Sequence, residues 1–318
     1  MLKPLRMLVA VGAAALGSLA LSPGAAGAAT ILRIDQAAVR VTVIPENRTD
    51  LDVKLVTANR GLPLWIDTSG DEVRVRGNLD WGAHCGPDDN LIFLWGFAPV
   101  PVRDLPRLVV RAPRDARVIA GGIVFGDIGR THSLALSATG CGTWTVGEVE
   151  TSFNLRQTGS GTVRASNAAS LLLSMTGSGD LFMGRVSGKM DLQLVGSGDV
   201  KAASAGSLDC RLTGSGDVRV DDIGGATEVL IAGSGDVWLG RVRGPMRAEI
   251  TGSGDIRAAS GEVTVLDARI KGSGDFSFRG TAESLNAEIY GPGDIYVARV
   301  TGRVSQTVRG PGDVHVGT

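Results

Sequence analysis

Regularly spaced aspartates are the residues of this sequence whose types and spacing most readily suggest chemistry. Each follows a Gly-Ser-Gly or Gly-Pro-Gly triplet, and successive members lie 18 to 20 residues apart. They are Asp180, Asp199, Asp217, Asp236, Asp255, Asp275, Asp294 and Asp313. If the spacing reflects one structural repeat, the carboxylates stack in one column. Such a column could bind calcium or accept hydrogen bonds from backbone N–H groups of turns.

The energetics favour the structural role. Two unit charges about 4.8 Å apart, the spacing of paired strands, repel by about 0.9 kcal/mol even at the dielectric constant of water. A hydrogen bond to a charged group contributes about 1.5–3 kcal/mol, which offsets that repulsion without an ion. The spacing also differs from the Gly-Gly-x-Gly-x-Asp nonapeptide of calcium-binding β-rolls. We therefore predict turn-stabilising aspartates and neither a metal nor a cofactor.

No other combination of residues in the sequence points clearly to a catalytic site. His84, His132 and His315 lie in three separate contexts, so no Ser-His-Asp or Cys-His system can be assembled from them. The glycine triplets lack the Lys-Ser/Thr and the helix of a phosphate-binding loop. Enzymes can also work with carboxylates and basic residues alone, but here the carboxylates belong to the repeat itself. We predict a protein without a catalytic site.

A second column, two residues beyond the aspartates, mixes aromatic and basic side chains. It contains Phe182, Trp238 and Tyr296 among Arg164, Lys201, Arg219 and Arg257. Aromatic residues on an exposed face can stack on sugars, although β-propensity alone also selects them in strands. The three aromatic residues are the candidate ligand contacts.

The elements that position these columns follow from a tandem repeat. Gly-x-Gly followed by Asp or Thr occurs ten times, with steps of 18 to 20 residues. The triplets begin at Gly140, Gly159, Gly177, Gly196, Gly214, Gly233, Gly252, Gly272, Gly291 and Gly310. A period of this length indicates a solenoid. Glycine supplies a positive φ in the tight turn at no steric cost.

Apolar residues alternate with polar ones on both sides of each turn, which is the period of a strand. Leu208, Cys210 and Leu212 precede one turn, and Val218 and Val220 follow it. Two strands of about six residues and two turns consume about 19 residues, so one repeat can close one coil of an all-β parallel β-solenoid. A wider coil made of two repeats remains an alternative.

The first residues predict export. Lys3 and Arg6 precede an apolar run over residues 7–21, and small residues follow, so we predict a signal peptide over residues 1–28. Without Lys3 and Arg6 the chain has 30 basic and 33 acidic side chains, a net charge of −3. Together with the absence of a basic cluster, this charge argues against nucleic acid as a partner. No membrane-spanning segment is predicted in the mature chain.

Residues 29–120 show alternating stretches without the glycine turn, and we predict the first coils or a β cap there, followed by the repeat solenoid over residues 121–318. An aromatic-rich insert over residues 79–100 contains Trp81, His84, Cys85, Asp88, Asp89, Trp95 and Phe97. It could be a ligand loop or a metal site. We favour the interpretation that residues 91–95 cover the open end of the solenoid, which otherwise exposes strand edges.

Three cysteines allow at most one disulfide bond. Cys210 lies in an inward ladder, so we expect it to be buried and unreactive. Cys141 occupies the middle of the first glycine turn, and Cys85 lies in the insert. In an oxidising compartment Cys85 and Cys141 are therefore the expected pair.

The whole pattern resembles the bacterial auto-transporter adhesin "head GIN domain" proteins. The likeness is carried by VRVTVIPENRTDLDVKLV (39–56), DEVRVRG (71–77), LPRLVVRAPRDARVIAGG (105–122) and the Gly-Ser-Gly-Asp array that follows. The resemblance implies a right-handed parallel β-helix and an adhesive role, and it implies no catalytic residues. The long segment over residues 79–100 departs from the family pattern.

The sequence thus predicts an exported, non-catalytic β-solenoid of the periplasm, the cell surface or the extracellular space. The expected partner is a glycan or another envelope or cell-surface component, which an extended repeat face would bind as an adhesin does. Self-association into a homo-oligomer is compatible with such a face. The alternatives are a polysaccharide-modifying enzyme on the same scaffold and a purely structural envelope spacer.

Overall fold

The computed structural model describes residues 30–79, 82–86, 90–94 and 98–317, which excludes the predicted signal peptide. Described strands before the repeats are Ile31–Glu46 (β1), Asp52–Thr57 (β2), Trp65–Ser69 (β3), Glu72–Arg76 (β4), His84–Cys85 (β5), Leu91–Phe93 (β6), Val100–Pro101 (β7), Arg107–Pro113 (β8) and Asp115–Ile128 (β9). One turn of 3-10 helix spans Val102–Asp104.

Strands of the repeat region pair almost entirely in parallel. They are Ser133–Cys141 (β10), Thr143–Val146 (β11), Val149–Gly159 (β12), Thr162–Ala165 (β13), Ala168–Gly177 (β14), Asp180–Gly196 (β15), Val200–Gly214 (β16), Val218–Ile223 (β17), Thr227–Gly233 (β18), Val237–Arg243 (β19), Met246–Gly252 (β20), Ile256–Gly272 (β21), Phe276–Tyr290 (β22), Ile295–Val300 (β23), Val304–Arg309 (β24) and Val314–Val316 (β25).

One repeat makes one coil. Cys210 in β16 lies opposite Leu192 of the preceding repeat and Val229 of the following one, with parallel pairing on both sides. A coil made of two repeats would place strands two repeats apart side by side, and this alternative is wrong. The coils stack into a β-solenoid of about 11 turns. The fold predicted from the glycine period is confirmed.

The core is a set of inward ladders that run through the whole stack. Leu208, Cys210 and Leu212 are buried before the turn, and Val218 and Val220 are buried after it, as predicted. The structure adds a third inward position that closes each coil, which the period-two pattern did not reveal. This third ladder contains Ala168, Val186, Ala205, Ile223 and Val242.

The turn needs glycine for two separate reasons. Gly214, the first glycine of its triplet, has φ of 126°, in the region that side chains avoid. Gly216, the second, has no room for a Cβ, which would collide with the carbonyl oxygen of Gly198 in the coil below. The positive φ was predicted from the sequence, whereas the close approach of stacked turns follows only from the structure.

The N-terminal region continues the stack and then closes it. β1 pairs in parallel with β9 on one side and with β4 and β8 on the other. β2 and β3 then pair antiparallel with β8 and β4 as the outermost strands. One hydrophobic core extends from Leu32 to Val297. β9 runs without interruption across residue 120, the last residue of the N-terminal region as we bounded it from the sequence.

The described part of the insert lies against the flank of the first coils. β5, β6 and β7 form a small antiparallel sheet, and Ile92 is fully buried with Ala38 and Ile123. The disulfide Cys85–Cys141, with 6.1 Å between the Cα atoms, fixes this sheet to the first glycine turn. The bond confirms the expected pair. Our expectation that residues 91–95 cover the open end is wrong for Ile92, because the flank offers the apolar pocket and β2 and β3 occupy the end.

Candidate functional site

The aspartate column links each coil to the next. The backbone N–H of Asp217 donates to Oδ1 of Asp199 over 3.0 Å, and that of Asp236 donates to Oδ1 of Asp217 over 3.0 Å. The same bond recurs along the column between Asp180, Asp199, Asp217, Asp236, Asp255, Asp275, Asp294 and Asp313. We had expected a donor from the same turn, but the donor N–H belongs to the next coil. Each bond therefore stabilises the stacking of two coils.

No ion site accompanies these carboxylates. Over the described ranges, no group of three or more His, Cys, Asp or Glu side chains is arranged to hold a metal. Asp88 and Asp89 of the insert, together with Trp81, Trp95 and Phe97, lie outside the described residues. Among the described residues of the insert, Cys85 is bonded to Cys141, and His84 stacks on Phe93 with 5.1 Å between ring centroids.

The second column of outward side chains forms a continuous surface along one face, which we name the cation–aromatic column. Successive register positions place Arg164, Phe182, Lys201, Arg219, Trp238 and Arg257 side by side on neighbouring strands. Because these residues are two positions beyond the Asp, their side chains point away from the buried ladder of Val200, Val218 and Val237. The column crosses six consecutive coils.

Basic groups cover the aromatic rings of this column. The Arg164 guanidinium carbon lies 4.5 Å from the centroid of the Phe182 ring, and Lys201 Nζ lies 5.6 Å from it. The Arg219 guanidinium carbon lies 3.6 Å from the Trp238 ring. These are cation–π distances. The rings of Phe182 and Trp238 therefore contact basic side chains of neighbouring coils, and the role of these two residues as ligand contacts stays a prediction.

Tyr296 is separate from these pairs. It continues the same column, but its neighbours are Ser277 and His315, and no cation covers its ring among the described residues. The ring is 43% exposed. Of the three predicted aromatic contacts, Phe182 and Trp238 are covered by basic side chains of the protein. Tyr296, near the C-terminal coils, has an uncovered ring.

A shallow depression lies on this face between Arg164 and Arg219. It is lined by small residues, Gly184 and Ala203 among them, and by Arg164, Phe182, Lys201 and Arg219. Gly184 packs so closely on the backbone of Ser166 that a Cβ would collide with the Ser166 carbonyl oxygen, and Gly240 approaches Asp221 in the same way.

Ion pairs occupy the opposite outward face. Arg269 donates two hydrogen bonds of 3.0 Å to Glu288 of the next coil, and Lys271 Nζ lies 2.9 Å from Glu249. The hydrogen bond from Arg269 lowers the pKa of Glu288, and that from Lys271 lowers the pKa of Glu249. These pairs bridge coils, and they neutralise this face without forming a site.

One Asp-His-Ser cluster exists near the first coils, but its geometry is not that of a catalytic triad. Ser133 Oγ donates to Asp115 Oδ1 over 2.6 Å, and His132 Nδ1 lies 2.8 Å from the same oxygen. In a nucleophilic triad the serine bonds to the histidine, whereas here both groups bind one carboxylate. The two bonds lower the pKa of Asp115, with the bond from Ser133 the larger cause. The cluster ties β9 to β10.

These features define a class of protein: a parallel β-solenoid with hydrogen-bonded aspartate turns and an extended outward face. The chain belongs to the family described as "Putative auto-transporter adhesin, head GIN domain", whose model matches residues 127–239 and 211–318. The resemblance seen in the sequence is thereby confirmed. The family name points to an adhesin-like head domain. A search of curated proteins finds no match to this chain.

Helices that could cross a membrane are absent from the described part of the chain.

Proposed function

We propose that this chain is an exported binding protein that recognises a linear polymer of a cell envelope or cell surface along its repeat face. The observation that carries the proposal is the cation–aromatic column, in which six consecutive coils present polar and aromatic groups at a constant spacing of about 4.8 Å. A polymer is also periodic, so one chain can repeat the same contact from coil to coil.

Family membership supports the adhesive role and the absence of catalysis. The family name describes an adhesin-type head domain. From Asp180 to Asp294, the carboxylates of the aspartate column each accept a backbone hydrogen bond from the next coil. Carboxylates committed in this way hold the scaffold, so binding rather than polymer cleavage is the proposed activity.

A binding screen tests this function. The exported protein is labelled and applied to an array of bacterial and host glycans and to whole cells, and the variant Phe182→Ala/Trp238→Ala is compared with wild type. The matched control, Leu172→Ala/Val265→Ala, removes exposed apolar side chains elsewhere on the surface. We expect polymer or cell binding that the column variant loses and the control keeps. Absence of binding to every polymer and cell, or release of cleaved polymer, would contradict the proposal.

A further inference from the structure

The depression in the cation–aromatic column contains cations without carboxylate partners. Arg219 is paired with Asp221 at 3.0 Å, and Arg257 with Asp255 at 2.6 Å. Arg164 and Lys201, on either side of the Phe182 ring, form no ion pair within the described part of the chain, although both are held over that ring. The basic depression, which we define as Arg164, Phe182, Gly184, Lys201 and Arg219, therefore offers two positioned positive charges.

One carboxylate lines the depression, and two more are close to its residues along the strands. Asp180 and Asp199 lie two positions before Phe182 and Lys201, and Asp221 lines the edge. Only Oδ1 of Asp180 and of Asp199 accepts the hydrogen bond from the next coil, which leaves Oδ2 of each as an acceptor. A polymer with closely spaced negative charges would be repelled by these groups. A sugar that has one carboxylate and several hydroxyl groups satisfies both kinds of side chain.

We propose that the basic depression binds acidic sugar units of a linear, carboxylate-bearing polysaccharide, with the polymer lying along the solenoid axis. The inference rests on the proposed function and names the class of ligand. The carboxylate of one sugar accepts hydrogen bonds from Arg164 and that of another sugar accepts them from Lys201, while hydroxyl groups donate to the free aspartate oxygens. Gly184 lines the depression without a side chain, so a sugar ring can approach the backbone there.

The coil spacing supports this orientation. Arg164 and Lys201 are two coils apart, which corresponds to about 9.6 Å at about 4.8 Å per strand. One pyranose residue in an extended chain covers a length close to one coil. Two alternate sugars of one polymer can therefore meet the two cations, while the intermediate sugar faces Phe182.

The test measures binding to immobilised alginate, a linear polymer of uronic acids, with dextran as the neutral polymer and polyphosphate as the densely charged one. The variant is Arg164→Gln/Lys201→Gln. The matched control is Arg279→Gln/Arg299→Gln, which removes the same charge from two exposed arginines that lie far from the depression and have no ion pair among the described residues. Thermal unfolding of both variants verifies that they fold.

We expect wild type and control to bind alginate. The Arg164→Gln/Lys201→Gln variant should bind alginate at least about tenfold more weakly, because it loses charge-assisted hydrogen bonds. Added salt should weaken wild-type binding. Equal alginate affinity of wild type and variant would overturn the assignment of the depression. Tighter binding of polyphosphate than of alginate would overturn the ligand class. Dextran binding that the variant retains would sink this inference while leaving the proposed function intact, and absence of binding to all three polymers and to cells would sink both.

Discussion

At the scale of single residues, orientation decides what a side chain contributes. Leu212 is buried in the inward ladder opposite Leu194 and Ile231, and its neighbour Arg211 points outward beside Asp209. The same strand therefore contains one residue that holds the core and one that meets solvent. This alternation makes a matched pair of substitutions available within two adjacent positions.

Leu212→Ala should destabilise the fold by about 2–5 kcal/mol, because it removes buried apolar surface and leaves a cavity. Arg211→Ala should change the free energy of unfolding by less than about 1 kcal/mol, since the Arg211 side chain is 47% exposed and its contact with Asp209 is an ion pair at the surface. Denaturant titrations of both variants provide the measurement. Equal destabilisation by the two substitutions would mean that the inward and outward assignments are wrong.

The aspartate column can be tested at Asp217. Asp217→Ala removes the acceptor of the Asp236 N–H, so we expect a loss of about 1 kcal/mol in the free energy of unfolding. Asp217→Asn keeps an oxygen acceptor at the same place and should cost less. Chelator should leave the melting temperature of wild type unchanged. A large rise in melting temperature on addition of calcium would refute the structural role.

At the scale of elements, the disulfide and the insert form one unit. Cys85 on β5 and Cys141 on β10 are joined across 56 residues, while Ile92 on β6 fills the apolar flank. Cys210 on β16 is the free cysteine of the described chain, and burial raises the pKa of its thiol to about 12. The two environments predict opposite chemical behaviour for cysteines of one protein.

Mass spectrometry of the unreduced, digested protein should show the Cys85–Cys141 peptide pair, and Cys210 should resist alkylation until the protein unfolds, because the thiolate is the reactive form. Cys141→Ser should lower stability by up to about 4 kcal/mol on the chain-entropy account of loop closure. Its control, Cys210→Ala, leaves the bridge intact. Recovery of Cys85 and Cys141 as free thiols, or of Cys210 in a disulfide, would disprove the pairing.

At the scale of the whole molecule, each coil contacts its two neighbours, and stability is distributed along the stack as in other repeat proteins. Inward ladders supply apolar contacts, the aspartate column supplies hydrogen bonds at one edge, and ion pairs such as Arg269–Glu288 join coils on an outward face. The last of these three contributions depends on pH.

Stability should fall in acid. The folded state lowers the pKa of Glu249 and Glu288 below the ordinary value of 4.5, so their contribution is complete above that value and is lost as pH falls below it. Lys189 has a raised pKa, so its contribution is lost only above the ordinary value of 10.5. Urea midpoints at about pH 7 and about pH 5 should agree more closely than either does with that at about pH 3.

Arg269→Gln provides the control for this pH dependence, because it removes the hydrogen bonds that lower the pKa of Glu288. The acid-induced loss of stability should become smaller in that variant. Arg279→Gln, whose arginine has no ion pair in the described part of the chain, should leave the pH dependence unchanged. If Arg269→Gln and wild type lose the same amount of stability in acid, the outward ion pairs are not the cause of that loss.

The sequence by itself determined the solenoid and the direction in which the alternating residues beside each glycine turn point, and the place of each cysteine in that pattern predicted the Cys85–Cys141 pair. Those features follow from local regularities: a glycine triplet every 18 to 20 residues and an alternation of apolar and polar residues, which the backbone converts directly into turns and faces. Only the tertiary structure decided that one repeat closes one coil, that Ile92 of the insert packs on the flank, and that Arg164 and Arg219 cover the rings of Phe182 and Trp238. These depend on which repeats become neighbours, and identical repeats encode their own shape but not the contacts between particular residues of adjacent coils.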